Sequence, residues 1–250
     1  MFKKLSKIGG IVLLLGFMVV TLAFTSLEYR NEPCREIEIV YDADDKITVD
    51  KDIIRKIVNN TDKEIIGKTF DQINAANIEA VVEKNESVKN AQVFEVVAKD
   101  SGSYKGILTV KIKHREPLLR VITEKGSYYL DDTGHRFPVS TSYPAHVLVA
   151  TGDIKEEFAR EELLPFIRFI EEDDFWSAQI EQVHVTSKGE VILTPLIGDH
   201  LIELGTVDNY QEKFRNMKAF YKEVLAKNNW NKYKSISLKY KNQIIAKKKL

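Results

Sequence analysis

The 250-residue sequence contains a single cysteine, Cys34, so no internal disulfide is possible, and its folded parts must hold together by burying apolar surface. An excess of either charge is missing too. The 37 basic residues balance 37 acidic ones, which leaves no basic field to hold nucleic acid and no acidic tail. The 6 prolines and 12 glycines form no linker, and there is no internal repeat or low-complexity tract. His114, His135, His146, His184 and His200 are scattered, without an H-E-x-x-H pair or a nearby cysteine to complete a zinc site. A G-x-S-x-G elbow and a Gly-rich phosphate loop are absent as well. Each familiar catalytic signature therefore fails on spacing.

One long uncharged run is present. Ile8 to Leu27, IGGIVLLLGFMVVTLAFTSL, has about 20 positions, close to what a helix needs to cross a hydrocarbon core about 30 Å thick. Lys3, Lys4 and Lys7 precede it, and Glu28, Arg30 and Glu32 follow. By the positive-inside rule residues 1–7 stay in the cytoplasm, 8–27 span the membrane and the rest is exported. A cleaved signal peptide is the competing reading. The run is long for a signal, and Ala23-Phe24-Thr25 ends on a poor residue for cleavage, which favours an uncleaved anchor. Gly9 and Gly16, one heptad apart, are a weaker helix-pairing signal than GxxxG. Cys34 follows Asn31-Glu32-Pro33, unlike a lipidated cysteine. It could crosslink two copies beyond the membrane, but an incidental thiol is the simpler reading.

Roughly 220 residues remain outside the membrane, enough for one large or two small domains. Residues 35–115 read as strand, helix, helix, strand, strand. Ile37, Ile39 and Tyr41 alternate with Glu36 and Glu38, then Asp42 to Lys46 is a polar break. Thr48 or Asp50 caps a helix carrying Ile53, Ile54, Ile57 and Val58 on one face, which ends at Asn59-Asn60-Thr61-Asp62. Asn74 caps a second helix with Ile78, Val81 and Val82. Val88 to Val97 is a strand, Asp100-Ser101-Gly102-Ser103 a turn, and Leu108, Val110 and Ile112 alternate with Thr109, Lys111 and Lys113 in the next strand. A sheet covered on one face by two helices can fold alone.

Residues 116–250 form a second, strand-rich region with flanking helices. Gly126 to Leu130 leads into the turn Asp131-Asp132-Thr133-Gly134, and His146 to Val149 is another strand. Glu161 to Asp174 reads as a helix with Leu164, Ile167 and Ile170 on one face and Pro165 near its first turn. Ile180–Thr186, Glu190–Pro195 and Leu201–Leu204 are strands. Tyr210, Phe214, Met217, Tyr221 and Val224 mark the clearest amphipathic helix, which ends near Asn228-Asn229. Tyr233 to Lys248 reads as one long strand, with Ser235, Ser237, Lys239 and Lys241 on one face and Ile236, Leu238 and Tyr240 on the other. The fold class is α+β.

Three groupings invite a chemical reading. Asp131, Asp132 and His135 could ligate a metal, but D-D-T-G between strands is far more often a turn. Glu171, Glu172, Asp173 and Asp174 could bind a cation, but more often such a run is a solvated helix end. Trp176, Trp230 and Tyr233 could stack on sugars, but core packing is the commoner use. Paired carboxylates for glycoside hydrolysis need a cleft that spacing does not reveal. The balance favours a scaffold over a catalyst. A membrane-anchored cell-wall hydrolase and a POTRA-type secretion component are the alternatives. The first lacks any motif, and the second lacks tandem modules or a following barrel.

Three stretches carry a family resemblance: Arg115-Glu116-Pro117-Leu118-Leu119-Arg120-Val121, then Tyr128-Tyr129-Leu130-Asp131-Asp132-Thr133-Gly134-His135-Arg136-Phe137-Pro138, and Tyr233 to Tyr240, with Phe175-Trp176 between them. In this order they resemble the FtsQ/DivIB family of bacterial cell-division proteins, over Phe2 to Lys248. The resemblance implies a POTRA-like domain at 35–115 and an FtsQ/DivIB-type β domain at 116–250, both outside the cytoplasmic membrane at the division septum. It implies no enzymatic activity, cofactor or metal. The implied partners are FtsB (DivIC)-like and FtsL-like proteins and, indirectly, the septal peptidoglycan synthase that the complex helps license. The implied docking site is strand addition along Ser235, Ser237, Lys239, Tyr240, Asn242, Gln243 and Ile245. The N-terminal tail is much shorter than in many members, and Lys241 to Ile245 match only as a strand.

Overall fold

Leu108, Val110 and Ile112 are fully buried on one face of strand β3 (Ser103–His114), while on the other face Lys111 is half-buried and Lys113 exposed and Thr109 alone is buried. These side chains belong to a computed structural model that describes residues 10–22, 32–45, 48–100, 103–139, 145–227 and 229–249. The chain divides at His114/Arg115 into two compact units.

In the first unit β3 is the centre of a three-stranded sheet. β1 (Cys34–Tyr41) runs parallel to one side of it, and β2 (Val88–Asp100) lies antiparallel on the other. α1 is the described part of the apolar run, residues 10–22, with every side chain exposed. No helix among the described residues is long and apolar enough to cross a membrane. The ends of the 8–27 run, its flanking lysines and Glu28 and Arg30 lie outside the described residues, as do Lys46, Ser101, Gly102 and Asn228.

α2 (Lys51–Thr61) starts where the Asp50 carboxylate accepts from the Asp52 N–H, and α3 (Ala75–Val82) where Asn74 accepts from the Asn77 N–H. Ile54, Val58, Ile78 and Val82 bury against the sheet residues Ile39, Ala91 and Val110 in one core, each contributing about 2 kcal/mol. Ile53 lies off that face and is exposed. Cys34 is fully buried in the same core, which rules out crosslinking through it without unfolding, and burial raises its thiol pKa. At the far end of β3, the His114 Nδ1 lies 2.6 Å from Asp45, and its Nε2 accepts from the Val49 N–H at 3.0 Å. These two bonds pin the loop between β1 and α2.

The second unit is built on a nine-stranded sheet. β4 (Pro117–Thr123), β5 (Gly126–Asp131) and β6 (Arg136–Pro138) form an antiparallel meander. β7 (Leu148–Gly152) is parallel to β4, and β8 (Ile180–Val185) is parallel to β7. β9 (Val191–Pro195) and β10 (Leu201–Gly205) follow antiparallel. β11 (Tyr233–Ser237) is parallel to β10, and β12 (Ile245–Lys248) returns antiparallel to β11 as the outermost strand.

The expected single strand over Tyr233–Lys248 is thus two strands joined by a turn. The chain reverses at Asn242, whose φ of 58° lies in the left-handed region that asparagine tolerates. Leu238 is buried, which extends the apolar alternation past the end of β11 and hides the break from the sequence pattern.

Helices cover the buried face. α4 (Glu156–Phe158) continues through a π turn, Ala159–Leu163, into α5 (Leu164–Glu171). Pro165 is the second residue of α5, as its place near a helix start suggested, but the π turn before it makes the helical run continuous from Glu156, and that widened turn accommodates the ring. α6 (Asp174–Gln179) is capped at its N-terminus by Asp173, which also pairs with Lys218 at 3.0 Å, so this part of the acidic run starts a helix. α7 (Tyr210–Phe220) runs into a second π turn, Tyr221–Leu225. Its Phe214 and Tyr221 meet Trp176 edge-on at centroid distances of 4.7 and 5.6 Å, and Trp230 packs on Tyr221 at 5.4 Å. These aromatic rings build core.

Candidate partner-binding edge

The resemblance motif around Asp131 is a structural knot. Its carboxylate accepts from the Thr133 N–H and hydroxyl (2.9 and 2.6 Å), the His135 N–H (2.8 Å) and the Arg115 guanidinium (2.9 Å). Burial alone would raise its pKa. The hydrogen bonds from Thr133, His135 and Arg115 outweigh that, and the carboxyl is held below its usual range. Asp131 holds the turn after β5 and the entry into β4, which accounts for its oxygens without a metal. His184 lies 3.1 Å from the Thr151 hydroxyl and buried His200 3.3 Å from that of Tyr221, far from His114 in sequence and in different pairings.

The structure separates the seven expected docking residues. Ser235 and Ser237 sit in β11 between two neighbours: Ser235 faces Leu201 and Lys247, and Ser237 faces Glu203 and Ile245. The N–H of Leu238 donates to the Glu203 carbonyl at 2.9 Å, which shows that even-numbered positions of β11 turn their backbone groups toward β10. Lys239, Tyr240, Asn242 and Gln243 lie in the turn, and Ile245 opens β12.

β12 alone presents an outer edge at this end of the sheet. The Lys249 N–H donates to the Lys232 carbonyl at 3.0 Å. The ladder carries a register shift between Tyr233 and Ser235 of β11, but along β12 alternation from Lys249 has Lys247 and Ile245 face β11 as well, so Ala246 and Lys248 turn their N–H and C=O groups outward. Sequence reasoning missed these two. Nothing in the composition of the segment distinguishes them, because which backbone groups are free depends on what β12 pairs with.

Beside this edge lies a cavity of about 280 Å³ between the turn Leu238–Ile244 and the start of α7, where Asp208, Glu212 and Asn216 line it. Lys213 fixes its floor by bonding the Thr206 carbonyl (2.8 Å) and Asp208 (2.9 Å). Hydrogen bonds from Thr206 and Lys213 hold the Asp208 carboxyl below its ordinary range. Lys239 pairs with Glu190 at 2.7 Å, tying the turn to the β8–β9 connection and lowering the Glu190 pKa. So partly exposed a pair adds little stability, but it sets where Tyr240 stands. Tyr240 is 58% exposed at the tip of the turn, and Ile245 is 49% exposed beside it.

An α+β module followed by a strand-rich domain with an open, flanked sheet edge describes an interaction scaffold. The comparisons agree with that class. A POTRA-like domain model matches residues 32–100, and the FtsQ/DivIB, C-terminal related, family model matches residues 116–247. The chain belongs to the FtsQ/DivIB family, a non-catalytic family of cell-division scaffolds. No curated protein matches the chain.

Proposed function

We propose that the protein is a membrane-anchored divisome scaffold that docks an FtsB/DivIC-like partner, together with an FtsL-like one, on β12, and so helps license septal peptidoglycan synthesis. The observation that carries the docking site is the outer edge of β12, with Ala246 and Lys248 turned outward and Tyr240, Gln243 and the cavity alongside. Strand addition uses such an edge: backbone groups give affinity, and alternate side chains set register. Lys247 and Lys248 are exposed on the strand, and edge lysines discourage pairing between two copies. Anchoring is supported by α1, where Leu13, Phe17 and Val20 are all exposed. An apolar surface around a whole helix suits lipid.

Ala246→Pro is the decisive variant. It removes an outward N–H and leaves the pairing with β11 in place, and edge strands tolerate proline. Proline at Asn242 would only break the turn, since its ring cannot adopt a φ of 58°. In pull-downs with an FtsB/DivIC-like partner, Ala246→Pro should lose binding while its circular dichroism stays native, and Tyr240→Ala should weaken binding less. A folded Ala246→Pro chain that binds like the parent would move the docking site elsewhere.

A further inference from the structure

Two exposed apolar side chains of the first unit lie at the same end of its sheet. Ile66, 56% exposed, is at the apex of a turn made possible by Gly67, whose φ is +96°. That turn is bonded to the first residue of β1: the Gly67 N–H donates to the Cys34 carbonyl at 2.7 Å, and the Cys34 N–H to the Lys68 carbonyl at 2.8 Å. Tyr104, 63% exposed, lies near the start of β3. β1 and β3 are parallel, and Cys34 is level with Gly106. A Cβ at Gly106 would meet the Pro33 carbonyl oxygen at 2.4 Å, so the two chains touch there. Residues 103–105 therefore extend about 10 Å back past the beginning of β1, toward the side from which the chain arrives.

From these positions we infer that this end of the POTRA-like unit rests on the bilayer surface, with Ile66 and Tyr104 entering the headgroup region. The inference rests on the anchor reading above. The apolar run ends at Leu27, and the seven steps from there to Cys34 span at most about 25 Å fully extended. The tip of β3 reaches back over about 10 Å of that gap, so a taut connection holds Tyr104 within about 15 Å of the end of the apolar run, and a slack one brings it to the headgroups. Tyrosine suits this depth, since its ring is apolar and its hydroxyl stays wet. Two side chains alone would bind lipid weakly. Tethered by the anchor, they meet it at high effective concentration.

The test uses the full chain in phosphatidylcholine–phosphatidylglycerol nanodiscs, with an environment-sensitive thiol fluorophore at Ile66→Cys, Tyr104→Cys or Glu86→Cys. Glu86 is exposed and precedes Val88, which pairs with His114 at the opposite end of β3. Buried Cys34 stays unlabelled, and the parent chain is the blank. Headgroup-nitroxide lipids should quench positions 66 and 104 several-fold more than position 86. Equal quenching at all three, or none at 66 and 104, overturns the inference. A chain that fails to co-migrate with nanodiscs sinks the anchor reading and this contact together, and that shows before any quenching is read.

Discussion

Arg115 and Asp131, sixteen positions apart, meet as an ion pair at 2.9 Å, with the carboxylate 1% and the guanidinium 18% exposed. The pair joins the first residue of the second unit to the turn between β5 and β6. Removing one partner of a buried pair leaves the other charge without compensation. Asp131→Ala should cost about 3–5 kcal/mol in urea unfolding followed by tryptophan fluorescence, since both tryptophans lie in this unit. Asp131→Asn should cost less, because its amide oxygen can still accept from Thr133 and His135.

The same carboxylate gives the unit an acid dependence with a defined sign. Its folded pKa is lowered, so its contribution is complete above the ordinary aspartate pKa of about 3.9 and is lost as pH falls from there through the folded value. The stability gap between the parent and Asp131→Asn should be constant near neutrality and close below that pH. A gap that does not change down to acid unfolding would show that Asp131 is not held as an anion.

His114 does for the first unit what Asp131 does for the second. His114→Ala leaves the Val49 N–H without its acceptor and the buried Asp45 carboxylate with only the long backbone bonds from residue 114 (3.3 and 3.4 Å), at a cost on the order of 3 kcal/mol. Hydrogen exchange should speed up at Val49 and along β3. His184→Ala, at an exposed residue that bonds the Thr151 hydroxyl, should change stability by less than about 0.5 kcal/mol. Equal effects from the two would refute the clamp.

Topology can be read in cells. A reporter that fluoresces only in the cytoplasm, fused after Leu250, should stay dark, because the opposite orientation would carry Lys3, Lys4 and Lys7 across the membrane. A bright fusion would reverse the orientation.

The elements with a regular period were legible in the sequence. Leu108, Val110 and Ile112 gave β3, Asn74 gave one helix start and the pair Thr48 or Asp50 another, which the structure places at Asp50, and Phe214, Met217 and Tyr221 gave the buried face of α7 and its π turn. The clamps were not, because Asp45 and His114 are 69 positions apart and follow no local pattern. Pro165 suggested a helix start because a π turn leaves no mark in residue type. Within the segment proposed for docking, Tyr240 and Ile245 came from the family resemblance alone, whereas the outward positions Ala246 and Lys248 became visible only once the partner of β12 was known.

β12 is four residues long, and only Ala246 and Lys248 face outward. An added strand can therefore form about four backbone hydrogen bonds, worth about 4 kcal/mol in total, which corresponds to a dissociation constant near 1 mM. Free partners at cellular concentrations would hardly occupy such an edge. In the proposed docking, confinement of both proteins to one membrane plane and side chains lodged beside Tyr240 supply the remaining affinity, so the expected binding is steep in local crowding and weak to partner in bulk solution.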